Sequence, residues 1–151
     1  MKVAVGCDHA GYPLKRAILP YLRKLRYRVV DVGAFNTRPS DYPDYAQAIA
    51  RLIQTGQVDR GILICGSGVG ASVAINKFIG VRGGLSHDTY SAHQGVEHDD
   101  ANVLCLGSRV IGEELAKELI KAFLAARFTR EARHRRRLAK IERFEKNGGL
   151  A

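Results

Sequence analysis

No two cysteines in this chain have the spacing that a metal site or a disulfide framework needs. There are three, Cys7, Cys65 and Cys105, an odd count without a CxxC pair. Each stands near the end of an apolar run, and for Cys7 and Cys105 the reading is a buried, inert thiol. No apolar run approaches the roughly 20 residues of a membrane helix, so no membrane partner is expected. Met1-Lys2-Val3-Ala4-Val5 reads as a strand and lacks the layout of a signal peptide, which makes a cytoplasmic location the expectation. Internal repeats and low-complexity linkers are also missing. The 151 residues, 46% hydrophobic and 26% charged, fit one soluble domain over 1–151, with 147–151 frayed. The formal charge of +9 is concentrated at the end: residues 127–151 hold nine Lys/Arg against three acids.

The patterning alternates between short apolar runs and helical stripes. Strands are expected at Val3–Gly6, Arg28–Val32, Gly61–Cys65, Val81–Leu85 and Val103–Leu106. Helices are expected at Tyr12–Leu25, with Pro20 kinking or breaking it, and at Tyr45–Thr55, closed by Gly56. Asp88–Gly95 reads as a short helix with Ser86 as a cap, and Glu113–Ala126 and Arg130–Lys146 are amphipathic. Strands alternating with helices imply parallel pairing and right-handed crossovers. The fold class is therefore α/β, a doubly wound, Rossmann-like three-layer sandwich. Its five-stranded parallel sheet is expected in the order 2-1-3-4-5. The last helix carries Leu138, Ile141 and Phe144 on one stripe, which needs a partner in the core or on a second subunit.

The chemistry gathers around Gly61-Ile62-Leu63-Ile64-Cys65-Gly66-Ser67-Gly68-Val69-Gly70. A buried strand breaks into alternating glycines and then enters a helical segment, Ala71 to Phe78. Bare backbone N–H groups at such a junction suit an anion, or the turn is merely tight. The pattern is G-x-G-x-G, without the spacing of a dinucleotide fingerprint or the Lys-Ser/Thr of a P-loop. Cys65 at the strand end is a candidate base or nucleophile. In the five-strand order 2-1-3-4-5 the first and third strands are neighbours and ligands bind beyond their C-terminal ends. Asp8 and His9, after strand one, then face Cys65 and Ser67 across one crevice.

His98 sits in the polar stretch Val96-Glu97-His98-Asp99-Asp100-Ala101-Asn102 before strand five. Flanking acids set it apart from His87 and His93, which read as surface residues. Arg133 and Arg137, four apart on one helix face, suit a phosphate, or form part of a solvated basic face.

Taken together, Gly6-Cys7-Asp8-His9-Ala10-Gly11, Asp41-Tyr42-Pro43, Gly61 to Gly70, Ala74-Ile75-Asn76-Lys77, Asn102-Val103-Leu104 and Gly107-Ser108-Arg109 resemble ribose-5-phosphate isomerase type B. That family also includes the galactose-6-phosphate isomerase subunits. The resemblance runs from Val3 to about Arg143. It implies an aldose–ketose isomerase without metal or cofactor, interconverting D-ribose 5-phosphate and D-ribulose 5-phosphate. It also implies a homodimer or homotetramer with the site between subunits, which the last helix would help to build.

By the same resemblance, Cys65 matches the base that moves the proton between C2 and C1. Some members use a glutamate inside the loop instead; that place is Ala71 here. Ser67 matches a hydroxyl near the substrate, and His98 the residue that opens the furanose ring. Asp8 and His9 match ligands of the sugar and phosphate end, and Arg109, Arg133 and Arg137 the surrounding basic residues. Amides of Gly66, Gly68, Val69 and Gly70 suit the enediolate oxyanion. The chain departs at Asp99, where many members carry Asn. A carboxylate only accepts hydrogen bonds and adds negative charge beside an anionic substrate. That points to sugar hydroxyls as its contact, or to a different sugar phosphate, such as allose or galactose 6-phosphate. A non-catalytic nucleotide- or RNA-binding module is the contrasting reading of the basic tail. No aromatic platform accompanies the charge, so no nucleic-acid partner is expected.

Overall fold

The structure, a computed structural model, describes residues 1–148. Five parallel strands form one sheet: β1 (Lys2–Cys7), β2 (Arg28–Gly33), β3 (Arg60–Cys65), β4 (Gly83–Leu85) and β5 (Val103–Gly107). Six helices accompany them: α1 (Tyr12–Lys24), α2 (Tyr42–Gln54), α3 (Val69–Ile75), α4 (Thr89–Asp99), α5 (Glu113–Ala125) and α6 (Ala132–Lys146). Among the described residues no helix is long and apolar enough to cross a membrane.

Strand side chains alternate between two cores, as the period of two requires. Val3, Val5, Ile62, Ile64, Leu104 and Leu106 point to the layer of α1, α4 and α5. Ala4, Leu63, Cys65, Val103 and Cys105 point to the layer of α2 and α3. The central strands are therefore apolar on both faces, the signature of a covered parallel sheet. The doubly wound sandwich expected from the sequence is the one observed.

The sheet order is β2-β1-β3-β5-β4, and this corrects the expected 2-1-3-4-5 at its far edge. The physical reason lies in the two strands. All five residues of β5 are buried, whereas β4 has three residues, begins Gly83-Gly84 and has none fully buried. A short strand with two glycines buries little and belongs at an edge; the apolar one belongs between neighbours. Cys65 of β3 consequently pairs with Gly107 of β5. The side chain of Asn76 braces the weak edge, donating to the Gly83 carbonyl and accepting from its N–H, each at 2.9 Å.

α3 begins two residues and ends three residues before the expected Ala71 to Phe78, and three further helices differ in ways that move functional groups or caps. α1 runs through Pro20 as one assigned helix. Pro20 and Arg16, whose carbonyl loses its partner, are both exposed, so that carbonyl is open to solvent. α2 begins three residues early, since Pro43 is tolerated in a first turn. α4 continues to Asp99, so His98 lies in its last turn rather than in a loop. Its cap is Asp88, whose carboxylate accepts from Ser91 N–H at 2.7 Å, and not Ser86.

On α6, Leu138 is buried, but Ile141 and Phe144 remain 39% and 40% exposed. The chain's own core therefore covers only one end of that stripe. Of the expected frayed end, Asn147 and Gly148 close α6, and 149–151 lie outside the described residues.

Candidate active site

Winding changes direction at the β1/β3 boundary, because α1 leaves to one face and α3 to the other. The crevice this opens holds a cavity of about 330 Å³, lined by Asp8, His9, Tyr42, Cys65, Gly66, Ser67, Gly70 and Arg109, with Ala10 and Val110. The strand ends thus bring seven residues anticipated from sequence onto one surface: Asp8, His9, Cys65, Gly66, Ser67, Gly70 and Arg109.

Each group is held by its own loop. After β1, Asp8 N–H donates to the Ile64 carbonyl at 3.2 Å, extending the ladder by one residue. The Asp8 carboxylate accepts from Gly11 N–H at 3.0 Å and is 6% exposed. Ser40 occupies one side of the His9 ring: its N–H and its carbonyl oxygen each lie 3.1 Å from Nδ1. His9 Nε2 is left for the cavity.

The glycine loop after β3 wraps the sulfur. Cys65 is 4% exposed, and its Sγ accepts from Gly68 N–H at 3.1 Å. Val69 N–H points at Ser67 Oγ, 3.3 Å away. Gly68 adopts φ +80°, and a Cβ there would lie 2.5 Å from Leu85 Cδ1 and 2.9 Å from the Leu106 carbonyl carbon. Only glycine combines that left-handed turn with that approach. α3 has just seven residues, so these individual amides matter more than a helix macrodipole.

The loop after β5 runs alongside. Ser108 and Arg109 N–H groups donate to the Cys65 and Gly66 carbonyls at 2.9 Å, and Ser108 Oγ donates to the Ala10 carbonyl at 2.8 Å. The Arg109 guanidinium consequently lies over Gly66: a Cβ there would be 3.3 Å from Nη1. Tyr42 closes another side, its ring 2.7 Å from where a Gly70 Cβ would be.

The other two thiols lie in the cores. Burial pushes the Cys7 thiol up to about 11 and Cys105 further. Both stay protonated and inert at neutral pH, which accords with the sequence reading.

His98, Asp99, Arg133 and Arg137 are not at this cavity. α4 follows one parallel strand and precedes another, so it runs back across the sheet. Its last turn lies beside the start of β5, whereas Cys65 pairs with the end of that strand. About 13 Å of strand separates the two ends. His98 instead stacks on His134 of α6, ring centroids 4.1 Å apart, and Gln94 Nε2 meets its Nδ1 at 2.7 Å. Arg133 and Arg137 are exposed on α6, with Arg133 Nε 2.9 Å from Glu131. Asp99 is exposed at the end of α4, where Arg82 caps its carbonyl.

Sequence reasoning missed Tyr42, Ser40, Gln94 and His134. Tyr42 lay in a recognised motif without a stated chemistry. Ser40 and His134 act on histidines distant in the sequence; Gln94 stands four residues before His98 on the same helix, a spacing the sequence shows once α4 is carried past Gly95. His87, read as a surface residue, is partly buried and accepts from Gly107 N–H at 3.0 Å.

Comparison with known proteins places the chain among one group of relatives. A family model described as Ribose/Galactose Isomerase matches residues 3–141. Ribose-5-phosphate isomerase B of Escherichia coli (strain K12) is 44% identical over 144 residues, 95% of this chain and 96% of that protein. A D-erythrulose-4-phosphate isomerase of Pectobacterium atrosepticum is 43% identical over 129 residues, 85% of each chain. The solved ribose-5-phosphate isomerase B of Clostridium thermocellum superposes with a TM-score of 0.95 at 42% identity, covering 98% of this chain and 99% of that one.

Proposed function

Since the chain belongs to the ribose/galactose isomerase family, we propose that it interconverts D-ribose 5-phosphate and D-ribulose 5-phosphate. The observation that carries this is the single cavity in which Cys65, Ser67, Asp8, His9 and Arg109 meet above bare loop amides. In this reading Cys65 Sγ takes the C2 proton of the open aldehyde and returns it to C1. The cis-enediolate between these steps carries its charge on oxygen, facing the N–H groups of Gly66 and Gly70, while Val69 N–H is turned to Ser67 Oγ. Gly68 N–H already donates to the sulfur and orients it. Ser67 Oγ and Asp8 bind sugar hydroxyls. Arg109 and the free His9 nitrogen face the anionic substrate, whose phosphate supplies binding energy remote from the reacting carbons.

We further propose that the site is completed by a second copy of the chain. His98, which opens the furanose ring, and the phosphate ligands Arg133 and Arg137 stand at the opposite end of the sheet from Cys65. One chain cannot bring them together without refolding; two chains related by a twofold axis can. The exposed Ile141 and Phe144 on α6 supply an apolar face for that contact. Asp99 arrives with His98 and binds sugar hydroxyls. Dimer and tetramer both satisfy this arrangement, and a cytoplasmic site of action accompanies a phosphorylated substrate that does not cross bilayers.

The test is kcat/KM for ribose 5-phosphate against allose 6-phosphate, galactose 6-phosphate and D-erythrulose 4-phosphate. Preference for ribose 5-phosphate supports the proposal; turnover of none of them refutes it. The second reading, the same chemistry on another sugar phosphate, is favoured by Asp99 and by the relative named for D-erythrulose 4-phosphate. A higher kcat/KM for one of the other three would establish it.

A further inference from the structure

The surroundings of His98 assign the proton on its ring. Gln94 Nε2, a group that can only donate, lies 2.7 Å from His98 Nδ1. Nδ1 therefore accepts, and the neutral ring carries its proton on Nε2. His134 is bound in the opposite sense. Thr129 has one hydroxyl proton and directs it to the Glu97 carbonyl at 3.1 Å, while Thr129 N–H donates to the same carbonyl at 3.0 Å. With its proton on that carbonyl, Thr129 Oγ1 is free to accept from His134 Nδ1–H, 2.8 Å away.

His134 is 1% exposed on a helix that is otherwise mostly exposed. Its ring lies against His98 at 4.1 Å with 31° between planes. Through Thr129 it is tied to Glu97, the residue immediately before His98. The contacts close a circuit: α4 backbone, Thr129, His134, His98, α4. Burial and the neighbouring His98 lower the tendency of His134 to protonate.

We propose that Gln94 and His134 are positioning residues that hold His98 as one rotamer and one tautomer, with Nε2–H directed out of the α4/α6 pair. This inference rests on the ring-opening role proposed for His98. Opening a furanose requires a proton delivered to the ring oxygen as the anomeric C1–O bond to that oxygen breaks and the C1 hydroxyl loses its proton. A ring with Nδ1 engaged and Nε2–H presented hydrogen-bonds the ring oxygen and polarises the C1–O bond, while the C1 hydroxyl proton reaches that oxygen through water, so His98 stays neutral throughout. Neither Gln94 nor His134 needs to touch substrate to matter, since a misplacement of about 1 Å costs on the order of a hundredfold in rate.

The test combines a spectroscopic and a kinetic measurement on the full-length protein. With 15N-labelled histidine at pH 8, His98 is expected as the Nε2–H tautomer and His134 as the Nδ1–H tautomer. In Gln94→Glu the carboxylate can only accept, so the His98 proton should move to Nδ1. His134→Phe keeps a stacked ring but loses the anchor, and should show mixed His98 tautomers. For both variants kcat with ribose 5-phosphate should fall about tenfold to a hundredfold. Exchange of the ribulose 5-phosphate C1 proton with deuterium, which needs the base but no ring opening, should change less than about threefold, because that step does not call on His98. Wild-type His98 found as Nδ1–H overturns the proposal, and so do equal losses of conversion and exchange. If wild type does not convert ribose 5-phosphate at all, the functional reading fails. The tautomer assignment then stands or falls on the spectra alone.

Discussion

Replacing Cys65 by alanine separates what the sulfur holds together from what it does. The thiol is 4% exposed and accepts one hydrogen bond, from Gly68 N–H at 3.1 Å. Losing that acceptor at a site bordered by a cavity, where water can take over, costs about 1 kcal/mol. For a chain of this size that corresponds to a fall of about 2–4 °C in Tm. Loss of a positioned general base costs far more in rate, on the order of 10²- to 10⁴-fold in kcat. Those factors amount to about 2.7–5.4 kcal/mol of transition-state stabilisation. Cys65→Ser makes the comparison sharp. Its Oγ can still accept from Gly68, so much of the stability should return. An alcohol does not ionise near neutral pH, so activity should not. Calorimetry would give Tm and ribose 5-phosphate affinity for wild type and both variants, and ketose formation would give kcat. Affinity should stay within a few-fold, because Arg109, His9 and Asp8 are untouched. Alanine or serine variants with kcat within about tenfold of wild type would refute the role of the sulfur as base, given the range expected for a lost base.

Three more expectations can be checked independently. If each site draws on two chains, inactive Cys65→Ala and His98→Ala proteins, dissociated and mixed, should regain about a quarter of wild-type activity, since half the random dimers carry one intact site. Failure to regain any, with subunit exchange verified by mass spectrometry, would place both residues in one chain's site. Gly68→Ala combines φ +80° with contacts under 3 Å to Leu85 and the Leu106 backbone, and should destabilise by about 2–4 kcal/mol, read by urea unfolding; a loss below about 1 kcal/mol would show the turn to be relaxed. His134 has its pKa lowered from the ordinary 6.5, chiefly by burial and then by His98. The unfolded chain then binds a proton that the folded one refuses, so stability is intact above about pH 6.5 and declines below it. Urea midpoints between pH 8 and 5 should show that decline in wild type and a weaker one in His134→Gln; identical slopes would remove His134 from the account.

Much of this protein is determined by its residues taken in order. Short apolar runs such as Ile62-Leu63-Ile64, bounded by turn residues, have the pattern of strands covered on both faces, and helical stripes between them imply parallel pairing; the doubly wound class follows. The same local logic puts Cys65 at a strand end and bare amides after it. It also brings Asp8 opposite once β1 and β3 lie side by side, as the expected 2-1-3 start of the sheet order has them and the structure shows. What only the tertiary structure decided are choices between distant segments. Whether β4 or β5 touches β3 depends on which strand buries more, and Gly83-Gly84 against Val103–Gly107 settles it in space. His98 looked close to the crevice by its place before strand five. One further turn of α4 carries it to the far end of the sheet, against a histidine 36 positions later in the chain. The orientation of that imidazole, the guanidinium over Gly66 and the uncovered face of α6 all arise from contacts between elements. Local patterning carries no information about them, because each depends on which surfaces remain after the cores have closed.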